Sequence, residues 1–505
     1  MVLRSATLAL LLASAPALAD TPRSAIPWLS DSLEAPPAAE PEARPAGIVG
    51  DGTNGAFEIT SLDRRYGDEV GLLPPARSGL RRDLWGTTSA LRARKLISSV
   101  ENTGVPAAQA LFRRLLLAEL DPPVGGGARP SVLIARLDQL LAMGALDQAE
   151  ALIDRAGLVH ADVALRAFDV GLLTGRVEEV CQDLASNPNL SPTLPARIYC
   201  LAQLGDPAAA DVTLSAGTRL GTIAPIMANH LAHFLDPEGF EDAPLPEMPS
   251  RLTPLYFALR EALFLPRPAT ALPRAFLYRD LDRHVPPRRR IAALERLTAS
   301  GAIDGDRLFA AYRAQRAATS GGVWGRAEAV QALDTALAED DRAALLDALR
   351  LADRRLGAVG LRVALARAVA PALAEKTWPG AVPAVAAELL LLGDAAEALG
   401  RIAPDNPVVE TAQALALQRP LAQTPRRMLS QPEARAAAAY SALNEALPQA
   451  EAPGAAQILI ALGQLDAGEE IGAADLYATL RTLRMAGLSD AARRIAVETL
   501  LLQGH

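Results

Sequence analysis

Two cysteines, five histidines and one run of arginines are the first residues whose chemistry can be weighed. Cys181 and Cys200 are the only thiols in the 505-residue chain. If the chain is exported, two cysteines pair by default. Their placement favours pairing. Cys181 falls in a helical stretch after Gly175, Cys200 in one before Gly205, and the loop from Ser186 to Leu194 lies midway between them. Two antiparallel helices then hold the thiols at equal height. Closing a loop of this size stabilises by roughly 3 kcal/mol in the chain-entropy view. The alternative is a buried thiol pair or a redox couple, and the absence of Cys-x-x-Cys spacing argues against redox catalysis.

His230 and His233 stand three apart on one helix face, with Asp236 and Glu238 following. That set resembles mixed nitrogen and oxygen metal ligands. No third ligand has a fixed position, so the preferred reading is of cations placed near a helix C-terminus before the Asp236-Pro237 stop. Arg279, Arg283, Arg288, Arg289 and Arg290 surround Pro286-Pro287, and Asp280 and Asp282 partly offset them. Three arginines at a helix start oppose the helix dipole. They serve as a docking patch for an acidic partner or as a solvated turn. Asp51-Gly52-Thr53-Asn54-Gly55 has the flavour of a calcium loop without its bidentate glutamate. No Walker loop, dinucleotide fingerprint, nucleophile elbow or zinc-protease helix occurs, so the sequence nominates no catalytic residue and no cofactor.

These residues sit in a chain built to be helical. Half of it is hydrophobic but only 4% is aromatic, so the apolar content is mostly Ala and Leu, strong helix formers. Strand-type runs are nearly absent. The fold class expected is all-α. Lys95 and Lys376 are the only lysines among many arginines, which reads as codon bias. The formal charge of -8 makes nucleic acid and anionic lipid poor partners.

Arg4, the apolar stretch Ala6 to Ala13 and the small-x-small site Ala17-Leu18-Ala19 read in order as a signal peptide over 1–19. Residues 20–56 are rich in Pro, Ala and Glu and read as a disordered leader. Residues 57–85 alternate apolar anchors with paired charges, and read as a strap across a folded domain or a linear motif for a partner. Arg64, Arg65, Tyr66 and Trp85 are its candidate partner contacts, beside Arg288, Arg289 and Arg290. An N-terminal helical-repeat domain over 86–235, a linker over 236–254 rich in Pro, Glu and Asp, and a C-terminal helical-repeat domain over 255–505 complete the organisation. No stretch after the signal is apolar enough to span a bilayer. Stable membrane insertion is therefore not expected.

Self-similarity carries the rest. Leu133, Leu137, Leu140 and Leu141 lie on one helix face, Gly144 ends the helix, and Asp147 with Glu150 reads as a capping box for the next. Gly144, Gly175 and Gly205 recur at intervals of 31 and 30 residues, Gly393 and Gly487 repeat the turn later, and Gly301 does so more weakly. The Leu-x-x-x-Gly-x-x-x-x-Ala core, Leu140 to Ala149, resembles the tetratricopeptide-like helical repeats over about residues 130–235. The period is shorter than that family's roughly 34 residues, and its aromatic positions are mostly absent. The chain is also similar to exported Ala-rich proteins of alphaproteobacteria, some carrying an antifreeze-glycopeptide label. The tandem Ala-Ala-Thr units behind such a label reduce here to Ala317-Ala318-Thr319.

The resemblance implies an α-solenoid of stacked antiparallel helix pairs with a concave peptide-binding face. The expected function is a non-catalytic periplasmic scaffold or adaptor for another envelope protein or peptide. The alternative is a cell-wall-acting enzyme or accessory factor with a carboxylate site, for which two clustered acids in a deep cleft would speak.

Overall fold

The computed structural model describes residues 67–505, apart from 102–103, 127–128, 159, 191, 269, 315–320, 340, 401, 404–405, 422–429, 466–469 and 504–505. The signal peptide, the leader, the Asp51–Gly55 turn, Arg64, Arg65 and Tyr66 lie outside the described residues.

The fold is all-helical. Among the described residues strand pairing is limited to a two-residue parallel pair, Val382 on Ile402 and Pro383 on Ala403, and the isolated parallel bridges Leu73 to Ala118 and Ser89 to Val124. Helix starts follow simple chemistry. Proline occupies the first turn of Pro106–Leu117, Pro207–Arg219, Pro225–Leu235, Pro254–Ala262 and Pro407–Ala416, where its missing N–H costs nothing. Thr193, Asp206, Thr253, Asp341 and Asn406 each accept from a backbone N–H of the helix that follows. No helix of the described residues is long and apolar enough to cross a membrane.

Ser131–Met143 shows how a turn is built. Leu133, Leu137 and Leu140 are fully buried, whereas Leu141 is only partly so. Gly144 ends the helix at φ 80°, with its own N–H and that of Ala145 returning to the last-turn carbonyls. A β-carbon there would also lie 2.7 Å from the Leu297 side chain. Gly175, Gly205, Gly301 and Gly487 share the left-handed conformation. Gly393 differs, with φ at -91°, and Asp394 after it takes the positive φ. Its glycine answers another demand, since a β-carbon would come within 2.6 Å of the Ala366 carbonyl oxygen on a packed helix. The Asp147–Glu150 capping box is also corrected. The helix runs Leu146–Ala156 because Leu146 is buried, so Asp147 lies inside its first turn and caps nothing by side chain.

Helix neighbours can be followed from Pro106–Leu117 to Ser131–Met143. The path continues through the 3-10 segment Arg274–Leu281 to Pro287–Ala299, then through Gly305–Ala314 and Arg362–Ala374 to Ala384–Leu392. From there it passes to Pro407–Ala416 and Ser489–Leu502, and the last of these packs on Pro106–Leu117 again. Ala455–Gly463 likewise packs on Ala90–Ser99. Helices near the two ends of the described chain therefore pack on each other.

A smaller circuit runs through Val177–Ser186, Leu194–Gln203, Pro207–Arg219, Pro225–Leu235 and Pro254–Ala262, and both of its ends rest on Ala161–Thr174. That helix serves two cores through two stripes. Val163, Ala167 and Val170 join the large apolar cluster, while Ala164, Phe168 and Leu172, on the adjoining stripe, join the small one. The small cluster draws Leu255 and Leu259 from beyond the 236–254 segment.

The described part of the strap is structural. Asp68 accepts from the N–H groups of Val132 and Leu133 at 2.9 and 2.8 Å, capping Ser131–Met143, which has no side-chain cap of its own. Leu72 and Leu73 donate to the Leu117 carbonyl, and Ala455 donates to that of Leu84. Trp85 is 4% exposed within the large core. It is thus a packing residue, which corrects its reading as a partner contact. Hydrophobic and near Pro-rich sequence, it finds apolar surface on its own chain first.

Candidate functional site

The third stripe of Ala161–Thr174 is polar, with Asp162, Arg166 and Asp169 at i, i+4 and i+7. It borders an open groove of about 1310 Å³. Leu141, Leu165, Phe168, Leu194, Met227 and Tyr256 give the groove apolar walls. Residues 248–256 and 270–273 form one side, stiffened by Pro249, Pro254 and Pro273, whose backbones are fixed in φ. Part of the sequence read as a linker is therefore a groove wall.

The charges of the groove are unevenly matched. Arg166 donates bidentately to Asp138 at 2.8 and 2.9 Å. Arg129 pairs with Asp162 at 2.9 Å. Asp169 accepts no hydrogen bond from the described residues. Burial pushes its carboxyl up to about 7, with Arg166 opposing and the like charge of Asp138 adding to the rise. The folded carboxyl thus keeps its proton across a pH range where the unfolded one has lost it. Stability from this group falls as pH rises from about 4 to about 7. Asp169→Asn is accordingly expected to raise the melting temperature at pH 8 and to leave it nearly unchanged at pH 4, in thermal melts of both proteins.

A second cavity, of about 540 Å³, lies where Pro106–Leu117, the 298–307 turn and Arg362–Ala374 meet. Arg113, Arg367, Thr298 and Gln148 line it together with Asp147, Asp304 and Asp306. A third, of about 850 Å³, contains Arg362, which holds Asp353 at 2.7 Å and Glu388 more closely still. One guanidinium occupies both acids there.

The remaining nominated residues are dispersed. Cys181 and Cys200 form a disulfide between Val177–Ser186 and Leu194–Gln203. His230 is fully buried and its Nδ1 faces the Ile226 carbonyl at 2.8 Å. His233 repeats the arrangement on Asn229 at 2.9 Å. Burial lowers the pKa of His230, and it packs edge-on to Tyr256. Asp236 accepts from the N–H of Gly239. No group of three or more His, Cys, Asp or Glu among the described residues is placed to hold a metal ion.

Arg289 pairs at 3.1 Å with the buried Asp280, which Arg267 also holds at 2.9 Å. Arg290 donates to the Arg283 carbonyl, and Arg288 is exposed. The arginine run is thus divided between the fold and solvent. Sequence reasoning missed Asp169, Arg113 and Arg367. Only the polar stripe on Ala161–Thr174 left a local signal.

No protein-family model, curated protein or solved structure matches the chain.

Proposed function

We propose that the protein is a non-catalytic periplasmic adaptor, a stack of helix pairs that binds an extended segment of another envelope protein. The observation that carries this reading is the 1310 Å³ groove, open and walled by apolar side chains and prolines. Such a surface suits a peptide better than a small substrate, which enclosed pockets of a few hundred Å³ suit best. Asp169 supplies the polar contact that fixes register. A lysine or arginine of the bound segment would draw it into its charged form. The N-terminal signal supports the compartment, and the helix-pair turns support the scaffold class.

The test is affinity capture from crosslinked envelope extract, using the wild-type chain beside Leu165→Glu, which puts a charge into an apolar wall. A discrete partner held by the wild type and lost from the variant is the expected result. Equal capture by both, or no enrichment over an unrelated periplasmic protein, overturns the reading.

One observation favours the alternative of a cell-wall-acting enzyme. Asp169, raised to about 7, neighbours Asp138, which accepts from Arg166, so two carboxyl groups in different surroundings face the same groove. Release of soluble fragments from purified peptidoglycan by the wild type and not by Asp169→Asn would move the assignment to catalysis.

A further inference from the structure

The geometry points to the 540 Å³ cavity as a binding site for a small polyhydroxylated anion, a sugar-sized carboxylate or phosphate. This site is separate from the peptide groove and does not depend on it. The first observation is a pair of guanidiniums. Arg113 and Arg367 both line the cavity and repel each other. Arg113 is spent on one hydrogen bond to the carbonyl of Gly301, and it has no carboxylate partner. Its charged form is disfavoured by burial first and by Arg367 second, with no offset from any acid. Arg367 reaches only Glu498, at 3.5 Å. That carboxylate already accepts from Arg494 at 3.0 Å and from the N–H of Ala107 at 2.6 Å. A buried guanidinium beside a second, half-exposed one is costly until an anion joins them. Guanidiniums suit carboxylate and phosphate oxygens in particular, since their planar forks donate two parallel bonds.

The second observation is independent of charge. Thr298 is only 8% exposed, and its hydroxyl lacks a hydrogen-bond partner among the described residues. The Gln148 side-chain carbonyl oxygen is buried in the same condition, while its amide nitrogen lies 3.5 Å from the Ala302 carbonyl. Both residues line the cavity. A buried acceptor and a buried hydroxyl left open cost about 1–3 kcal/mol each, which a ligand hydroxyl bonded to them would recover. Arg307 lines the cavity as well, so three arginines face three acids there, two of which have other contacts. Asp304 accepts from the N–H of Asp306 at the start of Gly305–Ala314, and Asp147 stands beside Tyr278, whose hydroxyl it helps hold protonated. The volume lies within the ligand-sized range of roughly 300–1,000 Å³.

Calorimetric titration of the full chain tests the site. The probes are glucuronate, glucose 6-phosphate, neutral glucose and inorganic phosphate. At least one sugar anion is expected to bind, and neutral glucose is not. Which of the two binds tells a carboxylate ligand from a phosphate one. Arg367→Gln, at a side chain 52% exposed and so tolerant of change, is expected to weaken binding about tenfold, the effect of losing one charge-assisted contact. Thr298→Val, which keeps the shape, is expected to weaken the sugar anion several-fold without changing the melting temperature by more than a degree or so. The inference is overturned if no sugar anion binds at 10 mM, on the order of the weakest useful affinity. It is also overturned if glucose binds as tightly as glucuronate, or if inorganic phosphate alone binds as tightly as the sugar anions.

Discussion

Replacing Arg136 by Met is expected to destabilise the protein by about 3–5 kcal/mol, the range seen when one member of a buried charged cluster is removed. Arg136 is 4% exposed. Its guanidinium donates to the carbonyls of Leu116 at 2.5 Å, Val70 at 2.6 Å and Ala118 at 3.2 Å. Those carbonyls lie just after the short Gly67–Glu69 turn of the strap and at the end of Pro106–Leu117, where no helix continues to satisfy them. Burial lowers the Arg136 pKa to about 10, with Asp68 opposing, so the side chain stays charged at neutral pH. Methionine fills the space and leaves three carbonyls and the Asp68 carboxylate without their cation. Urea unfolding should show the loss, and hydrogen exchange should accelerate first in residues 70–73 and 116–118. Arg136→Lys keeps the charge but cannot reach three carbonyls from one nitrogen, so it is expected to recover only part of the stability. A methionine variant as stable as the wild type would mean that the strap is held by its apolar contacts alone.

What the sequence discloses is what local chemistry decides. Leu133, Leu137 and Leu140 mark a buried helix face because burial repeats at helical period, and Gly144 marks its end because only glycine takes that turn without steric cost. The cysteine pair is legible for a similar reason, since two helices joined by a short loop fix its geometry. Errors arise where a tertiary contact outweighs a local signal. Leu146 is drawn into the core and shifts a helix start away from Asp147. Gly393 is glycine because another helix presses on it, and the turn's strain moves to Asp394. Trp85 looks like a free anchor until Leu84 is found hydrogen-bonded through its carbonyl to Ala455, 371 residues further along the chain.

The candidate sites were largely out of reach for that reason. Arg113, Gln148, Thr298 and Arg367 come from four helices, and nothing near any of them in sequence marks the others as neighbours. Their meeting depends on the long-range path from Pro106–Leu117 through Ser131–Met143 and Pro287–Ala299 to Arg362–Ala374, which helical periodicity does not encode. The groove was half visible. The polar stripe of Asp162, Arg166 and Asp169 can be read from spacing, but the opposite wall comes from a Pro-rich stretch that composition assigns to a linker.

Removing the disulfide is expected to have the other large effect, and a local one. The bond joins residues 19 apart and closes a loop within the smaller circuit. The chain-entropy estimate for such a loop is about 3 kcal/mol. Cys181 is fully buried and Cys200 is 6% exposed, so Cys181→Ala with Cys200→Ala leaves small apolar groups in place and introduces no polar atom. Around the bond, Tyr199 meets Phe168 edge-on and stacks on Phe234 at 5.3 Å. Those rings belong to a cluster separate from the main core, so loss of the bond should loosen that cluster as a unit. Hydrogen exchange is expected to rise through residues 177–235 and stay unchanged in Val323–Ala338 and Arg342–Gly357, which pack in the large core. Leu194 and Pro195 begin the helix that carries Cys200 and also line the groove, so peptide capture should weaken in the same variant. Exchange that rises equally in both regions would show that the two clusters unfold as one, and that Ala161–Thr174 transmits the loss from the small core to the large.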